Sequence, residues 1–257
     1  TGSDILRGED GDDVVTGGEG DDFINAGLGD DEVHAGEGAD IVFGGAGSDQ
    51  IFAGAGNDTI EGGAGDDRIW AGDGNDTVIA TANDGNDTYY GEGGVDTLDY
   101  AASSANLTVD LGNGFNQRGS VSGGTTGSDT FYGFENFVGG SGHDKITAST
   151  AVNVIDGGLG DDVFKFTSAA SANGDTIYGF HTGDRIDFTG MNGTGSMKLE
   201  AGQMIDAIGD ITITHEIRDG EEFTVIRGNT QGDNAADFEL SLHGRHNLTI
   251  NDFLGVS

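Results

Sequence analysis

The chain contains no cysteine and no proline, and only 10 lysines and arginines against 46 acidic residues. Without cysteine there is no disulfide framework and no C-x-x-C zinc or redox motif. Average usage would give a chain of this length about a dozen prolines. Their absence suits strands paired on both edges, where every backbone N–H is needed. The formal net charge of −36 excludes binding to nucleic acid or an anionic membrane surface through the chain's own charge. Left unneutralised, it makes the chain a self-repelling polyanion. No apolar run approaches the ~20 residues that cross a bilayer, and no N-terminal signal peptide is visible. Apolar residues make up 34%, against about 45–50% in ordinary domains on a count that includes glycine, so the core must be thin. At roughly 100–200 residues per domain this is one or two domains. The chain opens at Thr1 partway through a repeat and without an initiator methionine, which reads as a piece of a longer protein.

What is abundant is glycine, 50 residues of it, and aspartate in register. Asp4, Asp13, Asp22, Asp31, Asp40, Asp49, Asp58, Asp67 and Asp76 recur at every ninth position. A glycine stands two residues before each, and from Asp22 to Asp76 a second glycine stands four before. Two residues after each Asp is an apolar side chain: Leu6, Val15, Ile24, Val33, Val42, Ile51, Ile60, Ile69 and Val78.

Each column has a physical reason. Glycine tolerates positive φ and lets the residues before Asp turn tightly and aim carbonyls inward. The short phrase after Asp alternates as a strand with its middle residue inward. Two turns and two strands make an 18-residue coil, and coils stack about 4.8 Å apart as parallel strands. Asp4, Asp22, Asp40, Asp58 and Asp76 then line one edge, and Asp13, Asp31, Asp49 and Asp67 the other. Carboxylates stacked so closely need a cation between them. Oxygen-only ligands select a hard ion, and flexible glycine loops suit Ca²⁺ better than the strict octahedron of Mg²⁺. Four gaps on one edge and three on the other predict about seven Ca²⁺ if each gap holds one ion.

Phrases such as GGEGDDFIN, GGAGSDQIF and GGAGDDRIW resemble the glycine-rich nonapeptide of RTX proteins, the hemolysin-type calcium-binding repeats. The resemblance implies an all-β chain: a right-handed parallel β-roll that folds on Ca²⁺, closed by a C-terminal antiparallel β cap. It implies that the Asp carboxylates ligate the metal together with loop carbonyls, those of Gly18, Gly20, Gly27, Gly29, Gly36, Gly38, Gly45, Gly47, Gly54, Gly56, Gly63, Gly65, Gly72 and Gly74. Asp4 has only half a loop before it, and Asp13 follows Glu9 where glycine is expected.

Residues 1–100 form the first array. After Asp76 the period slips by two, and Asp87 and Asp96 resume it with Tyr89 and Leu98. Residues 101–126 read as an inserted strand, Leu107–Leu111, followed by a loop. Residues 127–190 carry a looser second array with Asp129, Asp144 and Asp162 in the ligand column and Asn153 in a coil suited to structure rather than to metal. Asp175, Asp184 and Asp187 lie in NGDTIYGFHTGDRIDF, which resembles the closing segment of RTX arrays. Asp175 and Asp184 join the expected ligands. Residues 191–257 read as the cap, with strands at ITITHEI, EFTVIRG, DFELSL and NLTINDF and a hairpin turn at RDGEE. The final NDFLGVS resembles the uncleaved region read by type I secretion machinery.

Asp12, Asp21, Asp30, Asp66 and Asp161, next to the ligand column, read as solvated. Phe43, Phe52 and Trp70 point outward and read as scattered exposed aromatics. No H-E-x-x-H, G-x-S-x-G or P-loop is present in a suitable context, so no catalytic residue is assigned. The expected role is a calcium-binding module of a secreted bacterial exoprotein. Its partners would be calcium ions and the secretion machinery, with neither nucleic acid nor a membrane span. The alternative is a Ca²⁺-dependent adhesin or polysaccharide-binding module of a cell surface or an alginate-modifying enzyme. A small hydrolase or epimerase is a further class that no motif supports.

Overall fold

The computed structural model describes residues 2–81, 84–112, 118–123, 127–191, 197–199, 207, 209–231 and 235–256. Among these, the strands form one sheet of thirteen and one of twelve. Successive short strands alternate between the two sheets: Ile5–Asp10 lies in the first, Val14–Glu19 in the second, Phe23–Leu28 in the first again. In the repeats each strand therefore pairs in parallel with the strand one coil later, and the two sheets face each other across a core one side chain thick on each side.

The inward residue of each phrase builds that core. In the first sheet Ile24, Val42, Ile60, Val78, Leu98, Phe137, Ile155, Ile177 and Leu242 are successive register partners. In the second, Val15, Val33, Ile51, Ile69, Tyr89 and Phe131 run likewise. All are buried. The period-2 alternation of each strand, with outward neighbours exposed or half-buried, is what a one-sided sheet requires.

The inserted segment holds more structure than the sequence suggests. The expected strand is there at Thr108–Asp110, but Arg118–Ser122 is a strand as well. It pairs antiparallel with Thr108–Asp110 on one side and with Ser128–Tyr132 on the other. The hairpin thus adds two strands to the second sheet alone, while in the first sheet Asn136–Val138 pairs directly with Val154–Asp156. Only Val121 in RGSVS supplies an apolar alternation signal, too little for a strand to be read from sequence. The rest of the expected loop, residues 113–117 and 124–126, lies outside the described residues.

At the far end, Asp210–Arg218 and Glu221–Gly228 form an antiparallel hairpin turning at Asp219 (φ 51°) and Gly220 (φ 91°), as RDGEE suggests. Phe238–His243 pairs with that hairpin on one side and with Thr176–Tyr178 on the other, so the cap continues the first sheet and covers its last strand. NLTINDF departs from its expected strand. Thr249 caps a short 3₁₀ turn at Ile250–Asp252, accepting from the Asn251 N–H, while Asp252 reaches back to the Thr249 N–H. That capping box leaves Phe253–Leu254 as a brief strand closing the second sheet against Arg185–Asp187.

Candidate metal sites along the two edges

Turn glycines shape both edges. All fourteen glycines assigned to the loops have φ between 105° and 148°, a region where L side chains are strained. Close packing adds a second demand: a Cβ on Gly36 or Gly56 would collide with the carbonyl oxygen of Gly18 or Gly38 in the preceding coil. Glu9 and Glu92 occupy glycine positions of their loops, and both hold positive φ, 79° and 66°. The loops before Asp13 and Asp96 therefore keep the turn without glycine.

The loops place the aspartates in two continuous ladders. On one edge the backbone N–H groups of Asp4, Asp22, Asp40, Asp58 and Asp76 donate to Oδ1 of Asp22, Asp40, Asp58, Asp76 and Asp96 respectively, at 2.7–2.9 Å. Asp96 N–H then donates to Glu135 Oε2 at 3.0 Å. On the other edge the ladder runs from Asp13 through Asp31, Asp49, Asp67 and Asp87 to Asp129 at 2.8–3.0 Å. It resumes beyond the hairpin, with Leu107 N–H on Asp144 and then Asp162 and Asp184. Asn153 N–H donates to Asp175 Oδ1. Asn153 itself is fully engaged, its Oδ1 accepting from Ser149 and its Nδ2 donating to the Glu135 carbonyl.

From Asp22 onward each Oδ1 of these aspartates therefore accepts from a backbone N–H. The other oxygen separates the sixteen expected ligands into two groups. In Asp13, Asp22, Asp31, Asp40, Asp49, Asp58, Asp67, Asp76, Asp96, Asp144, Asp162 and Asp175, Oδ2 is buried and has no hydrogen-bond donor. A buried carboxylate oxygen without a partner costs several kcal/mol, so twelve in register call for a cation. Oδ2 of Asp49 and the carbonyl oxygen of Gly62 in the next coil both lie 2.5 Å from the point where a Gly44 Cβ would sit. The same arrangement recurs at Gly91 with Asp96 and Gly133, and at Gly139 with Asp144 and Gly157. Carboxylate and carbonyl oxygens thus converge on the space that glycine leaves, the donor set of a hard, oxygen-loving ion. Among the described residues no cluster of three or more His, Cys, Asp or Glu side chains is arranged to hold a metal. The arrangement here is different in kind: one carboxylate per loop, complemented by backbone.

The remaining four differ. Asp4 is exposed. Asp87 Oδ2 accepts from the Tyr89 hydroxyl at 2.7 Å and Asp129 Oδ2 from the Tyr100 hydroxyl at 2.5 Å. Asp184 Oδ2 accepts from the His181 N–H at 2.8 Å and lies 3.1 Å from His181 Nδ1.

Burial controls the electrostatics. Desolvation pushes Asp49 up to about 6, Asp58, Asp96 and Asp162 to about 7, and Asp67 to about 8. Neighbouring carboxylates add to the rise, and the backbone donors offset part of it. Without a cation, burial shifts these groups toward the neutral acid, so that they titrate around neutral pH; a divalent ion favours the ionised form.

Sequence reasoning missed three features here. The polar residues preceding the ligand column are not simply solvated: Asp12, Asp21 and Asp30 accept from the backbone N–H of Asp30, Ala39 and Ser48 in the following coil. Asn57, Asp66 and Asn75 do the same. These bonds run opposite in direction to the inner ladder, so each loop is tied both ways. Asp84 in the TANDGND slip is buried, with Oδ1 free of any donor and its carboxyl raised by burial to about 6. The outward aromatics are ordered rather than scattered. His34, Phe52, Trp70, Tyr90 and Tyr132 stack in one column with centroids 4.5–5.4 Å apart and planes within 6–7°. Beside it, Arg68, Thr88, Arg118 and Thr130 join Trp70, Tyr90 and Tyr132 around a groove of about 480 Å³.

Family comparison agrees with these ladders. The RTX calcium-binding nonapeptide repeat matches in four copies, at residues 1–33, 17–51, 28–60 and 52–82. The Peptidase M10 serralysin C-terminal family matches residues 88–255. The chain belongs to the serralysin C-terminal family. This serralysin-type module is a calcium-binding β-roll whose N-terminal part is built of RTX repeats. Among solved structures, the AlgE6R3 subunit of the Azotobacter vinelandii mannuronan C5-epimerase is 20% identical, with 78% of each chain covered and a TM-score of 0.29. Comparison with curated proteins yields no significant match.

Proposed function

We propose that this module is a folding switch that stays open where free Ca²⁺ is scarce and closes on extracellular Ca²⁺. Closing would support export through a type I machine and stabilise whatever lies upstream in the exoprotein. The observation that carries this reading is the row of twelve buried, donorless Oδ2 atoms. Residues 1–100 carry 25 acidic and 2 basic side chains, a net of −23, and that repulsion keeps an ion-free segment extended and threadable. Millimolar Ca²⁺ outside the cell matches sites in the ~10⁻⁴–10⁻³ M range of extracellular modules. Neutralisation, turn closure and stacking then form one coupled event. Calcium supplies the positive charge between carboxylate and carbonyl oxygens; the chain supplies turns that aim them and a core that rewards stacking.

Far-UV circular dichroism tests this, first in chelator and then across a Ca²⁺ titration to about 10 mM, the range of extracellular sites, with Mg²⁺ as control. A cooperative coil-to-β transition driven by Ca²⁺ alone is the expected result. A β spectrum that persists after the ions are shown to be gone refutes the switch.

A second reading, Ca²⁺-dependent binding of an acidic polysaccharide, is favoured by the groove beside the aromatic column. The faces of the inner rings cover one another, so a glycan would meet ring edges, the Thr88 and Thr130 hydroxyls, and the guanidinium groups of Arg68 and Arg118. Two cations in one groove of so acidic a chain select an anionic ligand. Retention on uronate glycans in Ca²⁺, lost in an Arg68→Ala/Arg118→Ala variant that still folds, is the corresponding test.

A further inference from the structure

At three positions in the ladders the oxygen left bare elsewhere meets a donor from the protein itself. Tyr89 stands in the inward column, where its predecessors Ile51 and Ile69 carry plain aliphatic chains. Its ring fills the same core space, and its hydroxyl extends to Asp87 Oδ2 at 2.7 Å. Tyr100, fully buried and packed on Phe137, reaches Asp129 Oδ2 at 2.5 Å. The His181 ring bridges Asp184 Oδ2, 3.1 Å from Nδ1, and the Gly158 carbonyl, 2.8 Å from Nε2. Gly158 belongs to the loop of the coil before, so the ring spans a carboxylate–carbonyl gap between coils, with the carbonyl on the preceding side where in the repeats it comes from the following coil.

The loops agree with the side chains. Four residues before Asp22 through Asp76 stands a glycine, but before Asp87, Asp129 and Asp184 stand Asn83, Thr125 and Phe180. The glycine is also missing before Asp13, Asp96 and Asp175, whose Oδ2 atoms stay bare; at Asp87, Asp129 and Asp184 its absence coincides with a hydroxyl or imidazole beside the carboxylate. A donor hydrogen aimed at Oδ2 also places positive charge where the ion would sit, and two positive centres on one lone pair repel.

We propose that Tyr89, Tyr100 and His181 stand in for calcium, so that Asp87, Asp129 and Asp184 bind no ion and the roll contains a metal-free seam. This rests on the calcium reading of the other twelve aspartates. Asp87 and Asp129 sit where the second sheet passes from the repeats into the inserted hairpin, at Tyr89, Phe131 and Gly119, while Asp184 stands apart, before Arg185–Asp187 near the end of that sheet. There no parallel coil follows Asp129 to complete a cage, because Ser128–Tyr132 pairs with the antiparallel Arg118–Ser122. A hydrogen bond from within the core needs no following loop, which is why a tyrosine works at this place and an ion does not.

The test is to count bound Ca²⁺ by native mass spectrometry on the intact chain. Asp129→Asn and Asp87→Asn are expected to hold as many ions as the parent chain, whereas Asp58→Asn loses one. A lower count in either seam variant overturns the proposal. An unchanged count in Asp58→Asn instead overturns the calcium reading of the ladders, a separate failure. Should a seam variant not fold, Tyr100→Phe and Tyr89→Phe decide, since each keeps the ring and the carboxylate. Their expected count is unchanged, or higher by one where the freed oxygen admits an ion, with a calcium midpoint raised by less than about twofold, the effect of roughly one hydrogen bond spread over several linked ions. A count that falls in these variants places the hydroxyl beside an occupied site and overturns the proposal.

Discussion

Replacing Ile60 by alanine removes three carbons from a position that is 0% exposed and flanked in register by Val42 and Val78. Truncations of this kind cost about 2–5 kcal/mol, and the thin core places the value near 3–4, since little can slide in to fill the space. If folding is linked to ion binding, as proposed, that cost shows as a shift in the calcium midpoint. Near saturation each bound ion adds about 1.4 kcal/mol of stability per decade of free Ca²⁺. With about seven ions linked, 3.5 kcal/mol is offset by roughly 0.4 decade, a midpoint raised about 2- to 3-fold. With a single linked ion the same loss would need about 2.6 decades, or several hundred-fold. Titration followed by circular dichroism separates the two cases. At fixed saturating Ca²⁺ the melting temperature should fall by about 7–14 °C, from the usual 2–4 °C per kcal/mol at this size. An unchanged melting temperature refutes the inward column as core, and a hundred-fold midpoint shift refutes the many-ion linkage.

Gly56→Ala should be more damaging than its size suggests, since φ is 138° and the new methyl meets the Gly38 carbonyl; a loss of more than about 2 kcal/mol by calcium-dependent denaturation is expected, strain and steric overlap combined. Glu92→Gly should stabilise by up to about 1 kcal/mol, because it relieves a left-handed non-glycine residue at φ 66°; a rise in the calcium midpoint would contradict this. In chelator, acid should favour the roll. The ladder carboxyls have folded values raised from 3.8 to about 6–8, so their contribution is fully present below about pH 4 and is lost as pH rises through 6–8. The β signal of the ion-free chain should therefore grow between pH 8 and pH 5, and a flat profile counts against buried ladders.

Much of this architecture was legible because the nonapeptide writes it locally. A glycine two residues before Asp and an apolar residue two after fix turn, edge and core within nine residues, and Asp22 through Asp76 stand on the edges that their spacing predicts. What escaped reading depends on residues far apart in sequence. The stack of His34, Phe52, Trp70, Tyr90 and Tyr132 advances by 18, 18, 20 and 42 positions, so its regularity exists only once the slip and the hairpin are folded in. Tyr89 looks like any apolar residue of the inward column until its hydroxyl is placed on Asp87. Glu135 joins the first ladder without being aspartate, and only the Asp96 N–H bond reveals it. Arg118–Ser122 is held by partners on both sides rather than by its own pattern.

Trp70 is the one tryptophan in the chain, and it lies between Phe52 and Tyr90, 4.5 and 5.4 Å away with nearly parallel planes. Neither neighbour is close to it along the backbone. Its emission therefore reports the docking of three successive coils and is blind to purely local turn formation. The roll carries its own optical gauge: a spectral change at Trp70 that lags behind the gain of β signal would time the stacking of coils separately from the closing of their loops.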